Sequence, residues 1–197
     1  MASTPRLSPL LLSLLVAVLA GAHHAALASS VVETTCATAC NASGGAAGHG
    51  SLASFCVSSL RAAPGSTGAD ARGLAAIATN LTLANYTAAV ATVKALQRRG
   101  GWPAPERGAL ATCRRRYIEA LNVVHSAVHA LAVRRDEDYV ADMAVVRSAA
   151  TDCDDAFGGG KKKKKNAMAA AGESPMQKVN DDALKLTTVA MLIVKSL

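Results

Sequence analysis

Aromatic residues are scarce in this chain: three Tyr, two Phe and one Trp make up 3% of 197 residues. A β-sandwich draws on aromatic and β-branched side chains, so this scarcity argues against one. Abundant Ala and Leu instead favour closely packed helices. Charge is also sparse, at 18%, against 51% hydrophobic residues. That balance excludes a mainly disordered chain, and the length excludes a TIM barrel or a two-domain dehydrogenase. His-Glu-x-x-His is absent, and no Gly-x-Ser-x-Gly, Walker loop or Gly-x-Gly-x-x-Gly sits between a strand and a helix. The commonest sequence signatures of zinc, hydrolase and nucleotide chemistry are therefore missing.

Long hydrophobic runs are lacking too. Leu10 to Ala20 is apolar over 11 residues, too short to span a bilayer. Arg6 precedes it and Ala26-Leu27-Ala28 follows, which together read as a secretory signal peptide over residues 1–28 with cleavage after Ala28. The remainder suffices for one compact domain. The C-terminal apolar run, Thr187 to Leu197, is also short and is interrupted by Lys195, so neither a lipid-anchor signal nor a membrane partner is expected.

Export places the five cysteines, Cys36, Cys40, Cys56, Cys113 and Cys153, in an oxidising compartment, so disulfides are expected first. Five is odd, which leaves at least one outside an intramolecular bridge. Three sequons, at Asn41, Asn80 and Asn85, are candidate glycan sites in a secreted chain. The net charge of +7 owes most to Lys161, Lys162, Lys163, Lys164 and Lys165, preceded by Gly158-Gly159-Gly160. This tract reads as a flexible, solvated loop over residues 158–173, because like charges in a row repel. A sharper reading gives the lysines a weak contact with a polyanion, either an acidic polymer or anionic lipid. Outside the tract the domain is nearly neutral, so no basic face is expected. No aromatics interleave the lysines, and no nucleic-acid partner is expected.

Periodicity carries the fold. Leu110, Cys113, Tyr117, Leu121, Val124, Val128 and Leu131 recur at steps of three and four, an apolar helical stripe. Tyr139, Met143, Val146, Ala150, Cys153 and Phe157 form a second, and Val179 to Leu197 a third. A thinner stripe runs from Leu74 to Ala95. Breakers separate them: Gly100-Gly101-Trp102-Pro103, Arg134-Arg135-Asp136, and the Gly/Lys tract with Pro175. The pattern predicts an all-α chain whose body, residues 65–197, is an up-and-down four-helix bundle. Cys113 and Cys153 are 40 residues apart with the expected turn at their midpoint. Each therefore lies about 30 Å from the hairpin tip along its own helix, which sets the two side by side for a disulfide. Residues 29–64 hold the other three cysteines around a Gly/Ala/Ser-rich loop. Two short helices closed by Cys36–Cys56 or Cys40–Cys56 satisfy the spacing equally.

Thr34-Thr35-Cys36, Phe55-Cys56-Val57-Ser58-Ser59-Leu60, Pro64-Gly65-Ser66 and Ala69-Asp70-Ala71-Arg72-Gly73-Leu74 resemble the opening of plant invertase and pectin methylesterase inhibitors. Ala109-Leu110-Ala111-Thr112-Cys113 with Tyr117, Cys153-Asp154-Asp155-Ala156-Phe157, Ser174-Pro175 and Leu186 to Val194 are similar to the family's middle and last helix, so the likeness covers residues 31–197. It implies an N-terminal helical hairpin followed by the four-helix bundle. It also implies two disulfides, Cys36 with Cys56 and Cys113 with Cys153, leaving Cys40 extra. The pentalysine tract and a longer loop between Cys36 and Cys56 depart from the family pattern. The implied function is that of a secreted inhibitor in the apoplast or cell wall, forming a 1:1 complex with pectin methylesterase or, alternatively, with acid invertase. A non-inhibitory wall- or polyanion-binding module is a further alternative.

One position bears on the target. Invertase inhibitors of the family carry Pro-Lys-Phe at the start of the helix that here begins Glu137-Asp138-Tyr139. The Asp-Tyr form occurs in the pectin methylesterase inhibitors, which favours that target. Such a mechanism uses a rigid helix face to cover the enzyme's substrate cleft and needs no catalytic residue, metal or cofactor. Exposed positions of the middle two helices, Arg115, Glu119, Asn122, Asp138, Asp142 and Ser148, are the candidate contact residues. Asp138 equally suits a helix N-terminus through the macrodipole, and Tyr139 falls on the core stripe. His125 and His129 stand four apart on one helix, but with no third ligand nearby in sequence they read as surface histidines. Asp152, Asp154 and Asp155 read as a solvated helix end rather than catalytic carboxylates.

Overall fold

The computed structural model describes residues 31–41, 49–158 and 174–197. The expected signal peptide and the pentalysine tract lie outside the described residues, as does all but the start of the expected 158–173 loop.

Six helices follow one another: α1 over residues 31–41, α2 over His49–Ala62, α3 over Ala71–Arg99, α4 over Ala104–Ala132, α5 over Asp136–Ala156 and α6 over Gln177–Lys195. Their ends obey local chemistry. Asp70 caps α3 by accepting the Gly73 amide N–H at 2.7 Å, which satisfies one of the helix's orphan donors. Gly100 and Gly101 then end α3 with φ of 67° and 76°, a region where a Cβ is penalised. Pro103 precedes α4, and a proline there gives up an amide that the helix start leaves unpaired anyway. Asp136, Glu137 and Asp138 open α5, where carboxylates meet the positive end of the helix dipole.

The four long helices pack in a closed square, with α3 against α4, α4 against α5, α5 against α6, and α6 back against α3. Ala and Val dominate the seams, so the backbones approach closely. By length and composition α3 could cross a membrane, but Leu74, Ala78, Tyr86 and Val93 are buried against the other helices. Three tyrosines, each fully buried, reach across the diagonals of the square. Tyr139 of α5 meets Thr79 of α3 at 2.7 Å. Tyr86 of α3 donates to the Val146 carbonyl of α5 at 2.9 Å and lies 3.3 Å from the Thr187 hydroxyl. Tyr117 of α4 donates to Asn180 Oδ1 of α6 at 2.5 Å and packs edge-on against Tyr86, ring centres 5.1 Å apart. A buried hydroxyl without a partner is costly, so each of these bonds favours one axial register of the helices over its neighbours.

Cys113 of α4 is joined to Cys153 of α5, with Cα atoms 4.5 Å apart. Cys36 is joined to Cys56, Cα atoms 5.8 Å apart, closing the α1–α2 hairpin. The hairpin rests on the α6 and α3 side of the bundle, with Lys185 over the Phe55 ring. An ion pair between Arg61 and Glu33 adds a second tie between α1 and α2. Cys40 is buried outside both bridges, and burial pushes its thiol up from the ordinary range.

Candidate functional site

The outward stripes of α4 and α5 meet along one flank. On α4 the steps of three and four place Arg115, Ile118, Glu119 and Asn122 on one side. On α5 the same rule aligns Asp138, Asp142, Val145, Ser148 and Asp152. A chain of charges links the stripes. Arg115 bonds Glu119 at 3.0 Å, Arg116 bonds the other Glu119 oxygen at 3.0 Å, and the Arg116 guanidinium reaches across the seam to Asp152. Hydrogen bonds from Arg116 and then Arg115 hold the Glu119 carboxyl below the usual carboxylate range. Glu119 therefore keeps its charge to lower pH than an ordinary glutamate. Hydrogen bonds to Asp152 and then Glu119 raise Arg116.

Within that polar lattice Ile118 is 41% exposed and Val145 is 55% exposed. Branched aliphatic side chains held on rigid helices present apolar area that a partner can cover at little entropic cost. Beside α5 a groove of about 560 Å³ runs along α6, lined by Val140, Ala144, Met191 and Val194, with Glu137 and Lys195 at its rim. The tip of the flank is pinned: Arg72 of α3 grips Asp136 with two parallel bonds of 2.8 and 2.7 Å. Arg72 thereby holds the Asp136 carboxyl below its ordinary range.

A family model for plant invertase/pectin methylesterase inhibitors matches residues 30–193. The chain belongs to that family. Among solved structures it is similar to a mutant form of a pectin methylesterase inhibitor from Arabidopsis, with a TM-score of 0.59 and 19% identity over 73% of this chain and 88% of that one. It is also similar to a pectin methylesterase inhibitor from Arabidopsis thaliana, with a TM-score of 0.53 and 18% identity over 73% and 87% of the two chains. These likenesses show a shared helical fold. No curated protein matches the chain.

Within this family member, the six candidate contact positions fall on the one flank. Arg115, Glu119, Asn122 and Asp138 are exposed, and Asp142 and Ser148 are half-buried. Asp138 pairs with Arg135 at 3.3 Å, and Tyr139 points into the core. Three features of the flank escaped the sequence. Ile118 and Val145 look like ordinary helix positions, and the Arg116–Asp152 crossing joins residues 36 apart that only packing brings together. His125 and His129 are exposed, and among the described residues no group of three or more His, Cys, Asp or Glu is placed to hold a metal. Asn41 and Asn80 are exposed, whereas Asn85 is half-buried with its Oδ1 enclosed.

Basic charge outside Lys161–Lys165 is not spread evenly along the sequence. Residues 94–116 hold seven basic residues and a single acidic one, Glu106, so the near-neutrality of the rest of the domain hides a segregation of sign. Of these, Lys94, Arg98, Arg99 and Arg107 stand near the α3–α4 connection, whereas Arg114, Arg115 and Arg116 lie about three turns into α4.

Proposed function

We propose that the chain is a secreted inhibitor of pectin methylesterase that lays its α4–α5 flank across the enzyme's substrate cleft and excludes the polymer. The observation that carries this reading is a stiff helix pair, stapled by Cys113–Cys153, whose outer face sets the exposed Ile118 and Val145 inside an ordered lattice of charges. Family membership supports an enzyme as the partner. Glu137-Asp138-Tyr139 supports pectin methylesterase over acid invertase. Inhibition of this kind excludes substrate by shape, so it requires no catalytic group, metal or cofactor from the inhibitor. The proposed site of action is the cell wall, reached through the leader over residues 1–28.

Parallel titration against a pectin methylesterase and an acid invertase tests the target. Methanol release from pectin should fall to its floor near one inhibitor per enzyme, with sucrose hydrolysis unchanged. A response from invertase alone refutes the assignment. Ile118→Arg with Val145→Arg tests the flank: both sites already face water, so the melting temperature should hold while inhibition weakens at least about a hundredfold, the loss typical of charge buried in an apolar contact. Undiminished inhibition would move the contact face elsewhere.

A further inference from the structure

The tip of the α3–α4 hairpin concentrates cations that form no ion pair among the described residues. Lys94, Arg98 and Arg99 close α3, Arg107 opens α4, and all four are exposed. Among the described residues none of them has a carboxylate within ion-pair distance. Elsewhere both cases occur: Arg61, Arg72, Arg115, Arg116, Arg135 and Lys178 pair with acids, whereas Arg114, Arg134, Arg147, Lys185 and Lys195 form no ion pair among the described residues, so it is the clustering of unpaired cations that sets the tip apart. The one acid at the tip, Glu106, is half-buried and pairs with none of these cations.

Helix chemistry accounts for part of this and fails for the rest. Cations in the last turn of α3 suit the negative end of its dipole, but Arg107 stands in the first turn of α4, where a cation is disfavoured. It is held there nonetheless. Arg107 donates to the Trp102 carbonyl at 2.8 Å, and Arg99 lies over the Trp102 ring, 5.0 Å from its centre. The indole N–H is itself bonded to the Leu96 carbonyl at 2.8 Å. One half-buried tryptophan thus fixes two guanidinium groups, which reduces the side-chain entropy lost when an anion binds. Both guanidiniums keep donors open for carboxylates.

We infer that this tip, built on Lys94, Arg98, Arg99 and Arg107, is a binding surface for a polyuronide, an acidic polysaccharide with closely spaced carboxylates. The choice of polymer rests on the pectin methylesterase reading. That enzyme's hydrolysis of methyl esters leaves free carboxylates on pectin, so its product is the polyanion present where the inhibitor acts. The surface lies at the far end of α4 from the α4–α5 connection, and the enzyme-facing flank does not include it. Binding there would hold the inhibitor on wall that has already been de-esterified.

Retention of the purified chain on immobilised polygalacturonate and on fully methyl-esterified pectin, with no enzyme present, tests the inference. Salt-sensitive retention on polygalacturonate alone is expected. Lys94→Gln/Arg98→Gln/Arg107→Gln should weaken it at least about tenfold, since each cation contributes severalfold at a polyanionic surface. Arg98→Lys/Arg107→Lys should keep most of it, and the melting temperature should not move in either variant. Lys161–Lys165 changed to Gln should weaken retention less than the tip variant does. The inference falls if the tip variant binds like the parent, if esterified pectin is held equally well, or if the Lys161–Lys165 change alone abolishes binding. Equal binding to phosphatidylserine vesicles would make the tip a general anion surface and overturn the polyuronide assignment. Because inhibition is measured separately, a chain inert toward pectin methylesterase yet retained on polygalacturonate would lose the functional reading and keep the surface.

Discussion

The N-terminal hairpin and the four-helix bundle are both stapled by one disulfide, but they depend on it differently. The bundle buries three tyrosines, Leu74, Leu110, Met143 and Ile193, and its diagonal hydrogen bonds favour one register. The hairpin is two helices of 11 and 14 residues that expose one side to water and rest the other on the bundle. Isolated helices of that length are marginal, so the hairpin owes its form to Cys36–Cys56 and to the surface beneath it. A crosslink in the bundle adds to an existing core; a crosslink in the hairpin substitutes for one.

Several measurements would break or sharpen that contrast. The largest loss of free energy is expected from Cys113→Ser/Cys153→Ser. Opening a loop of sequence separation 40 costs about 4 kcal/mol in the chain-entropy model, and calorimetry should record a much lower but still cooperative melting transition. Cys36→Ser/Cys56→Ser, with a separation of 20, should cost about 3 kcal/mol by the same model, distributed otherwise. Amide exchange should accelerate across residues 31–41 and 49–62 first, while α3 to α6 keep their protection. Uniform acceleration over the whole chain would show that the hairpin and bundle unfold as one unit. Tyr139→Phe removes the hydroxyl facing Thr79 and should cost about 1 kcal/mol, read as a shift in denaturant midpoint with an unchanged slope.

The tyrosines also set a pH limit for the bundle alone. Burial pushes Tyr86 and Tyr139 up to about 12, and raises Tyr117 as well. An unfolded tyrosine ionises near 10, so the neutral form is favoured by folding. Its contribution is complete below about pH 10 and is lost as pH climbs from there towards 12. Phenolate absorbance should therefore rise together with loss of helical circular dichroism, and a rise that precedes unfolding would contradict the burial. The smallest effect belongs to Arg72 and Asp136, which are partly exposed. Arg72→Ala should cost under about 1 kcal/mol at neutral pH. Because Asp136 is held below the usual carboxylate range, that difference should shrink as acidification protonates it.

Much of this was legible in the chain. Apolar steps of three and four mark α3 to α6, and Gly100-Gly101 and Arg134-Arg135 fall where α3 and α4 end. The side-by-side placement of Cys113 and Cys153 follows from equal distances to a turn, since an antiparallel pair conserves the sum of residue numbers along its length. The stripe of Arg115, Glu119 and Asn122 is periodic and so was visible; the lattice that orders it was not. Arg116 meets Asp152, and Arg99 meets Trp102, through packing angles that no spacing rule encodes.

The sequence by itself determined the helices, their order and their antiparallel course, because each depends on neighbours one turn away or on a count of residues to a turn. Tertiary structure alone decided which diagonals the tyrosines cross and where unlike charges separate; it also joins Cys36 rather than Cys40 to Cys56, which the spacing left open and the family resemblance implied. Those outcomes depend on how helix faces rotate and slide against one another, and that rotation is settled by the packing of the whole core at once.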